Sequence, residues 1–442
     1  MNFFGKASSP RGTRWRVFAG TGANLSGQIL TAFIQLISLP LFLHFWETAR
    51  YGQWVMISAI PAYFSMTDGG VVPVAANRIT IMRAGGNLRS ANVVFQSALA
   101  LVLLAVLLVS TASALFIYPL RHLIFDPDSA FALWLLILST TLSLFAGLFD
   151  AGFRSHGMYA QGIWYGNAGR LLEFAGLLVG LVVGQSFTSC ALGSLLGRIA
   201  GLLWVGNVCR RRFPELPWSV ADASRHELGN LVRPGLAYLA FPLGNALSIQ
   251  SVTLIVGALS GSVALATFNT YRTLSRLVLQ AAAAFSHAVG AEFSRVYGEN
   301  NSEKLRTLYR QSMILGAVIS LGASIAMIPA APLVLSVWTH GKIAFNPPLY
   351  FLFALATLIG GFAMTPRIIL LAANQHTRLG AQYMGLSVLC LLVAIPGTLI
   401  LGPAGAVLSM TLQECGMLYL ATSQSGRVFV RRSSLSANAA GV

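Results

Sequence analysis

Twelve mostly apolar stretches, each about 20 residues or longer, divide this 442-residue chain, and that is the length a helix needs to cross the hydrocarbon of a bilayer. Charged or Gly/Pro/Asn-rich breaks punctuate them. The first six run over 17–45, 52–80, 91–117, 130–153, 161–184 and 186–208, and the second six over 231–258, 262–290, 309–337, 348–372, 378–401 and 403–424. Residues are 55% hydrophobic and only 10% charged, whereas a soluble globular domain carries about 25% charge. The composition therefore specifies an all-α integral membrane protein.

Basic residues are distributed unevenly between the two sides. The N-terminus, alternate loops and C-terminus together hold 20 Lys and Arg, and the opposite loops hold three, Arg50, Arg121 and Lys342. The positive-inside rule then puts both termini in the cytoplasm, which requires an even number of spans and agrees with twelve. This asymmetry also accounts for most of the net charge of +16. A nucleic-acid partner is not expected, because the basic groups are scattered over many short loops.

The apolar run from Val17 to Phe45 is too long for a signal-peptide core and reads as the first membrane helix. The longest break, Cys209 to Asn230, contains Arg210, Arg211, Arg212, Pro214 and Pro217. It reads as a cytoplasmic linker, 209–230, between an N-terminal six-helix lobe, 1–208, and a C-terminal one, 231–442. Several spans contain helix breakers, among them Pro40, Pro61, the Gly69-Gly70 pair, Pro242 and Pro366. The four cysteines, Cys190, Cys209, Cys390 and Cys415, have no metal-ligand spacing and read as small buried apolar residues. Nothing in the sequence calls for a metal or another cofactor: there is no Walker loop, no HExxH and no nucleophile elbow.

Six arginines, Arg170, Arg198, Arg233, Arg272, Arg276 and Arg367, lie within the apolar spans. A charge at mid-membrane costs about 2.5–3.5 kcal/mol even on the mildest scale, so such residues face a bundle interior or a wet cavity. Arg272 and Arg276 are one helical turn apart and share a face. Their helix offers no carboxylate before Glu292, so a bound dianion is one way to neutralise the pair. Snorkelling or pairing across helices is the other. Arg170 and Glu173 are spaced for an intrahelical pair, while Arg198 has no close partner in sequence and leans toward a cavity. Arg233 and Arg367 lie near cytoplasmic helix ends.

Among the acids, Asp68 beside the glycine pair is a candidate for ion coupling or gating, as are Glu173 and Glu414. Asp150 with Arg154 has the spacing of an i,i+4 pair at a helix end. Tyr63, Trp164, Tyr165 and Tyr271 are candidates for stacking on sugar rings, with interfacial packing as the alternative. Trp46, Trp134 and Trp338 read as interfacial belt residues.

Leu39-Pro40, Tyr51-Gly52-Gln53-Trp54, the stretch from Tyr63 to Asp68-Gly69, and Ala75-Ala76-Asn77-Arg78 resemble the polysaccharide flippases. These Wzx-like proteins belong to the multidrug/oligosaccharidyl-lipid/polysaccharide (MOP) exporter superfamily. Gly402-Pro403-Ala404-Gly405-Ala406 leading to Glu414 continues the resemblance. It implies twelve transmembrane helices in two six-helix lobes, V-shaped and MATE-like, with a central cationic cavity. It further implies a non-enzymatic flippase of the bacterial inner membrane that moves a polyprenyl-diphosphate-linked glycan precursor by alternating access. Its expected partners are that lipid-linked glycan, membrane lipids and the glycan polymerase machinery. On this reading Arg170, Arg198, Arg233, Arg272 and Arg276 bind substrate, and Asp68, Glu173 and Glu414 couple or gate.

Three alternatives stand beside it. A multidrug cation antiporter of the same superfamily would favour an acidic cavity. A major-facilitator carrier would carry a characteristic loop after helix two, which Asn77 to Arg89 lacks. A membrane glycan polymerase or ligase would need a large extracytoplasmic loop, and the longest here, Pro119 to Ala130, is short.

Overall fold

The computed structural model describes residues 10–120, 126–298, 302–373 and 377–439, and among them there are helices and no strands. Backbone contacts divide the chain into two compact units. The first comprises 1–37 with 60–239, and the second 38–59 with 240–442.

The first unit contains most of α1 (Pro10–Phe45), then α3 (Pro61–Phe64), α4 (Val71–Ala84), α5 (Leu88–Leu120), α6 (Pro127–Leu142), α7 (Leu144–Ser155), α8 (Tyr159–Gly184), α9 (Phe187–Arg212) and α10 (Arg225–Tyr238). The second contains the end of α1 and α2 (Thr48–Ala59). It continues with α11 (Ala240–Ala246), a π-helical turn at Leu247–Ser251, α12 (Val252–Gly298), α13 (Ser302–Trp338), α14 (Pro347–Ala372), α15 (Thr377–Leu401) and α16 (Pro403–Ala439).

By length and hydropathy alone, nine of the described helical stretches can cross a bilayer. One of them, Ala240–Ser286, holds two passes. Its 47 residues would extend roughly 70 Å at 1.5 Å per residue, more than twice the hydrocarbon thickness. The chain reverses at Gly261, whose φ of 84° is a conformation that glycine adopts without strain. Beyond the turn, the Leu265 side chain lies where a Cβ on Gly257 would be, 2.9 Å away. The pass formed by α2, α3 and α4 escapes a length criterion because it is interrupted at Ser65–Gly70, and α16 completes the set. The fold is thus an all-helical, multi-pass membrane bundle of twelve traverses, as the apolar pattern predicts.

The tightest packing in the first unit joins α8 to α9. Gly176, Gly180 and Gly184 recur every fourth residue on α8, as Gly193, Gly197 and Gly201 do on α9; Gly176 faces Gly193, Gly180 and Gly184 face Ser189, and Gly197 and Gly201 face Leu172 and Gly169. A Cβ on Gly176 would lie 2.1 Å from the Gly193 carbonyl oxygen, and one on Gly180 would lie 2.0 Å from that of Ser189. Hydrocarbon offers no hydrophobic drive to associate helices, so close backbone approach through small residues supplies the dispersion energy instead. Ser186 starts α9 with a reciprocal capping box with Ser189, and Asp128 accepts the amides of Phe187 and Thr188, both at 2.9 Å.

The segment between α9 and α10 is a strap folded onto the first unit. Phe213 and Leu216 are fully part of its core, with Phe95, Leu148, Phe149 and Phe153. Trp218 lies edge-on to Phe95 and tilted on Phe149, both 5.1 Å away. Asp222 exchanges two hydrogen bonds with the Gln96 side chain, at 2.8 and 3.0 Å. Glu215 accepts from Arg83 and from His156 Nε2, the latter at 2.8 Å, and Glu227 at the start of α10 pairs with Arg78 at 3.0 Å. The sequence reading of 209–230 as a linker misses this docking because its anchors lie more than 50 residues away along the chain.

In the second unit, the end of α1 is held by a side chain from far downstream. Lys342 Nζ donates to the carbonyl oxygens of Leu43 and, at 3.1 Å, Trp46, capping carbonyls that a helix C-terminus leaves free. Gly52 on α2 sits so close to α12 that a Cβ would lie 1.9 Å from the Ser262 carbonyl oxygen. These contacts explain why 38–59 belongs with the second unit. Trp46, read as a belt residue from sequence, is buried instead among Phe42 and Trp54. Of the four cysteines, Cys415 is exposed rather than buried.

Replacing Gly193 by Leu is expected to force α8 and α9 apart and to destabilise the protein by about 1–3 kcal/mol. Thermal unfolding in detergent measures this, with Gly166→Leu, on an open face of the same helix pair, as the control that stays near wild type.

Candidate functional site

Each unit contains one group of charged and polar side chains at membrane depth. In the first, the close approach of α8 and α9 sets the pairing. Gly197 lies so near Leu172 and Glu173 that a Cβ would meet their backbone at 2.2 to 2.9 Å. The next residue, Arg198, is thereby delivered to Glu173, with which its guanidinium forms an ion pair. Arg198 Nε donates to Ser139 Oγ at 2.8 Å, and Ser194 Oγ donates to Glu173 at 3.3 Å. The sequence spacing suggests Arg170 as Glu173's partner and leaves Arg198 alone, but the structure pairs them the other way, because helix-to-helix distance outweighs i,i+3 spacing here.

Arg170 instead reaches α1. It donates to Asn167 Oδ1 at 2.6 Å, Thr31 Oγ1 at 3.1 Å and the Gly27 carbonyl at 3.3 Å, while Asn167 donates to Ser26 at 3.1 Å. All of these are neutral acceptors, so they orient the guanidinium without cancelling its charge. Arg170, Glu173 and Arg198 line a cavity of about 80 Å³ together with Asp150 and Tyr165. Asp150 is paired with Arg154 at 3.5 Å, the expected i,i+4 contact. Tyr165 is engaged by Phe153 and Trp204.

Asp68 has a backbone role. It is buried, and its two carboxylate oxygens accept the amides of Gly70 at 3.1 Å and Val72 at 2.9 Å. That cap satisfies the start of α4 after a turn in which Gly69 and Gly70 have φ of 62° and 72°. A carboxylate at a helix N-terminus is stabilised by free amides and by the helix dipole. Arg233 is exposed on α10.

In the second unit Arg272 is buried, at 8% exposure, on the part of α12 after Gly261. Its Nη1 donates to Thr253 Oγ1 at 2.8 Å and to the Ile249 carbonyl at 3.2 Å; its Nη2 donates to Asn269 Oδ1 at 2.7 Å. Ile249 lies in the π-helical turn, whose wider winding leaves carbonyls free of the ordinary ladder. Asn269 is oriented by donating to Tyr51 Oη at 3.0 Å, and the guanidinium lies 5.4 Å from the Phe268 ring centroid. No carboxylate is within ion-pair distance of Arg272 or Arg276 among the described residues. Two like charges one turn apart are therefore left without a counter-charge.

Arg367 lies 5.7 Å from the Tyr383 ring centroid. Glu414 projects from α16 toward Gly360, and its Oε2 is buried without a hydrogen-bond partner. Ser248, Ser387 and Gln413 form a closed neighbouring network at 2.6 to 3.1 Å. Tyr271 is structural: it is fully buried, donates to the Ala344 carbonyl at 2.7 Å and accepts from the Asn346 amide at 2.6 Å. Sequence reading gave no site role to Thr253 and Asn269, and met Tyr51 only within a family-like motif; Asn269 carried a signal, standing three residues before Arg272 on the same face.

Residues 243–400, less than half of the chain, match the MatE family model. No curated protein sequence matches. Among solved structures, an inward-facing multidrug resistance MATE family transporter of the MOP superfamily aligns with a TM-score of 0.67 at 16% identity, covering 91% of this chain and 99% of that one. A MATE in the bent conformation aligns at 0.59 and 16% identity, covering 96% and 95%. A MOP superfamily transporter from Pyrococcus furiosus, described as having a binding pocket of reverse polarity that suggests a different function, aligns at 0.62 and 14% identity, covering 96% and 97%. At these identities the shared property is the fold, which is that of the MATE transporters.

Removing the Glu173 charge would strand Arg198 in a partly buried setting. Glu173→Gln is expected to cost about 1–3 kcal/mol, below the roughly 3–5 kcal/mol of a fully buried pair, since both side chains keep some exposure. Adding Arg198→Met should recover most of the loss, and a double-mutant cycle on unfolding midpoints measures it.

Proposed function

We propose that this chain is an alternating-access membrane transporter whose cargo carries an anionic head, and that the cargo is a polyprenyl-diphosphate-linked glycan precursor. The observation that carries this reading is the Arg272–Arg276 pair. Both guanidiniums lie at membrane depth, Arg272 is held by neutral acceptors only, and no described carboxylate compensates either. A diphosphate supplies the missing charge, and guanidinium geometry matches its oxygens in a bidentate manner. In the first unit, Arg170 is oriented by Thr31 and Gly27 on α1 and Asn167 on α8 and adds a further membrane-span cation. Unaided passage of such a head group through hydrocarbon would leave charges and hydroxyls unsolvated, which is the barrier a transporter lowers. Glu414, with a buried unpartnered oxygen, is the group proposed for proton coupling.

A cation antiporter is the second reading, and the comparisons favour it over the glycan flippase. The MatE match covers 243–400, the segment that holds both arginines, and similar folds include a multidrug resistance transporter. The P. furiosus protein of the same fold, with its described reverse pocket polarity, gives a precedent for a departure within this architecture.

The two readings separate in proteoliposomes loaded with a fluorescent polyprenyl-diphosphate glycan or with a cationic dye. The flippase reading expects glycan movement that falls roughly 10- to 100-fold in Arg272→Gln/Arg276→Gln, the loss of charge-assisted hydrogen bonds of about 1.5–3 kcal/mol. Gradient-driven dye efflux with no glycan movement, or a double variant that flips at the wild-type rate, rules the reading out. In Glu414→Gln, transport is expected to lose its response to an imposed proton gradient while downhill movement persists; a retained response excludes Glu414 as the coupling group.

A further inference from the structure

The strap between α9 and α10 carries a histidine that the proposed transport chemistry does not use. His156 caps the end of α7. Its Nδ1 lies 2.7 Å from the Gly152 carbonyl oxygen, and its Nε2 lies 2.8 Å from Glu215 Oε1. A carbonyl and an ionised carboxylate can only accept, so each ring nitrogen needs its own proton. Ser155 Oγ, 3.2 Å from Nδ1, also donates to the Gly152 carbonyl, at 3.0 Å. The ring that satisfies both contacts is the imidazolium. It also stacks on Phe213 of the strap, with centroids 4.0 Å apart and planes inclined by 28°, an arrangement in which an aromatic face stabilises a cation.

We propose that the strap is a proton-sensitive latch: protonated His156 adds a charge-assisted hold on Glu215 and Phe213 to the strap's other anchors, and loss of that proton loosens residues 213–224 from the first unit. Deprotonation either turns the Nε2 lone pair on Glu215 or, in the other tautomer, turns the Nδ1 lone pair on the Gly152 carbonyl and leaves Glu215 a neutral hydrogen bond in place of a charge-assisted one. The docked state thus gains from protonation and weakens as pH rises. Histidine alone among ordinary side chains changes charge over about pH 5 to 8. Glu215 stays ionised throughout that interval, since the His156 hydrogen bond, with those from its own backbone and Arg83, holds its carboxyl down to about 2. The charged and titratable groups around the ring are Glu215 on the strap, Arg83 on α4 through Glu215, Asp150 and Arg154 on α7, and Tyr159 at the start of α8, over which Arg154 lies at 5.1 Å.

The consequence is conformational. The strap sets where α10 begins, because Asp222 is tied to Gln96 and Glu227 to Arg78 directly after it. A loosened strap leaves α10 held by the Arg78 pair and by its own packing.

The test is spin-label mobility at Val220→Cys, an exposed strap position, in a Cys415→Ser background, followed by electron paramagnetic resonance of the purified protein from pH 5 to 8.5. The expected result is a mobile component that grows with pH in one single-proton transition. In His156→Gln, whose amide reaches Glu215 but does not titrate, the mobile fraction should be independent of pH, and in Glu215→Gln it should be high at every pH. A spectrum of the labelled protein with His156 and Glu215 intact that does not change between pH 5 and 8.5 overturns the latch. An unchanged transition in His156→Gln overturns it equally. The readout is strap mobility, so it stands apart from the identity of the transported cargo.

Discussion

At bilayer depth every backbone amide and carbonyl must find its partner within the protein, because the surrounding hydrocarbon has none to offer. The consequence is an all-helical chain, but the more telling effect is at the places where a helix stops. Each interruption is covered. The break before α4 is closed by the Asp68 carboxylate on two amides, and the π-helical turn has its Ile249 carbonyl taken by Thr253 and Arg272. Irregular backbone is tolerated only where side chains complete it, so Asp68, Thr253 and Arg272 are found where helices are interrupted.

The same economy governs the charged groups. Glu173 and Arg198 meet because Gly197 removes the atom that would hold two helices apart. Their pairing is a by-product of packing, and once it is made the first unit contains an ion pair beside a cation, Arg170, whose hydrogen-bond partners are all neutral. In the second unit the balance is tipped further, since Arg272 has only neutral acceptors and neither it nor Arg276 has a counter-charge among the described residues. A buried positive potential that the protein itself does not neutralise is costly to keep. Its persistence is the physical core of the case for an anionic cargo.

Much of the fold was legible in the sequence, because hydropathic length and turn residues act locally. The pattern showed the twelve apolar stretches, the reversal near Gly261 and the Asp150–Arg154 pair. What it did not show depends on distant approach. The exchange of partners among Arg170, Glu173 and Arg198 follows from a glycine-lined interface whose four-residue spacing, Gly176, Gly180 and Gly184 on one helix and Gly193, Gly197 and Gly201 on the other, is visible once sought. The assignment of 38–59 to the second unit rests on Gly52 against Ser262 and on Lys342, neither of which has a local signature. Asp68 looked like a coupling acid because an intramembrane carboxylate usually is one; the glycine pair after it was the sign that it closes a turn. The arginines themselves were found by their placement, and the neutral partners that fix them were not, since Thr, Asn and Tyr are common in any helix.

The Lys342 contact also bears on how the chain is made. The carbonyls at the end of α1 accept from a lysine 299 positions further along the sequence. Synthesis proceeds at about 5–20 residues per second, so roughly 15–60 s separate the first helix's emergence from that of its cap. During that interval α1 has an unfinished terminus, and whatever holds it in the membrane while the remaining helices arrive must stand in for a residue not yet translated.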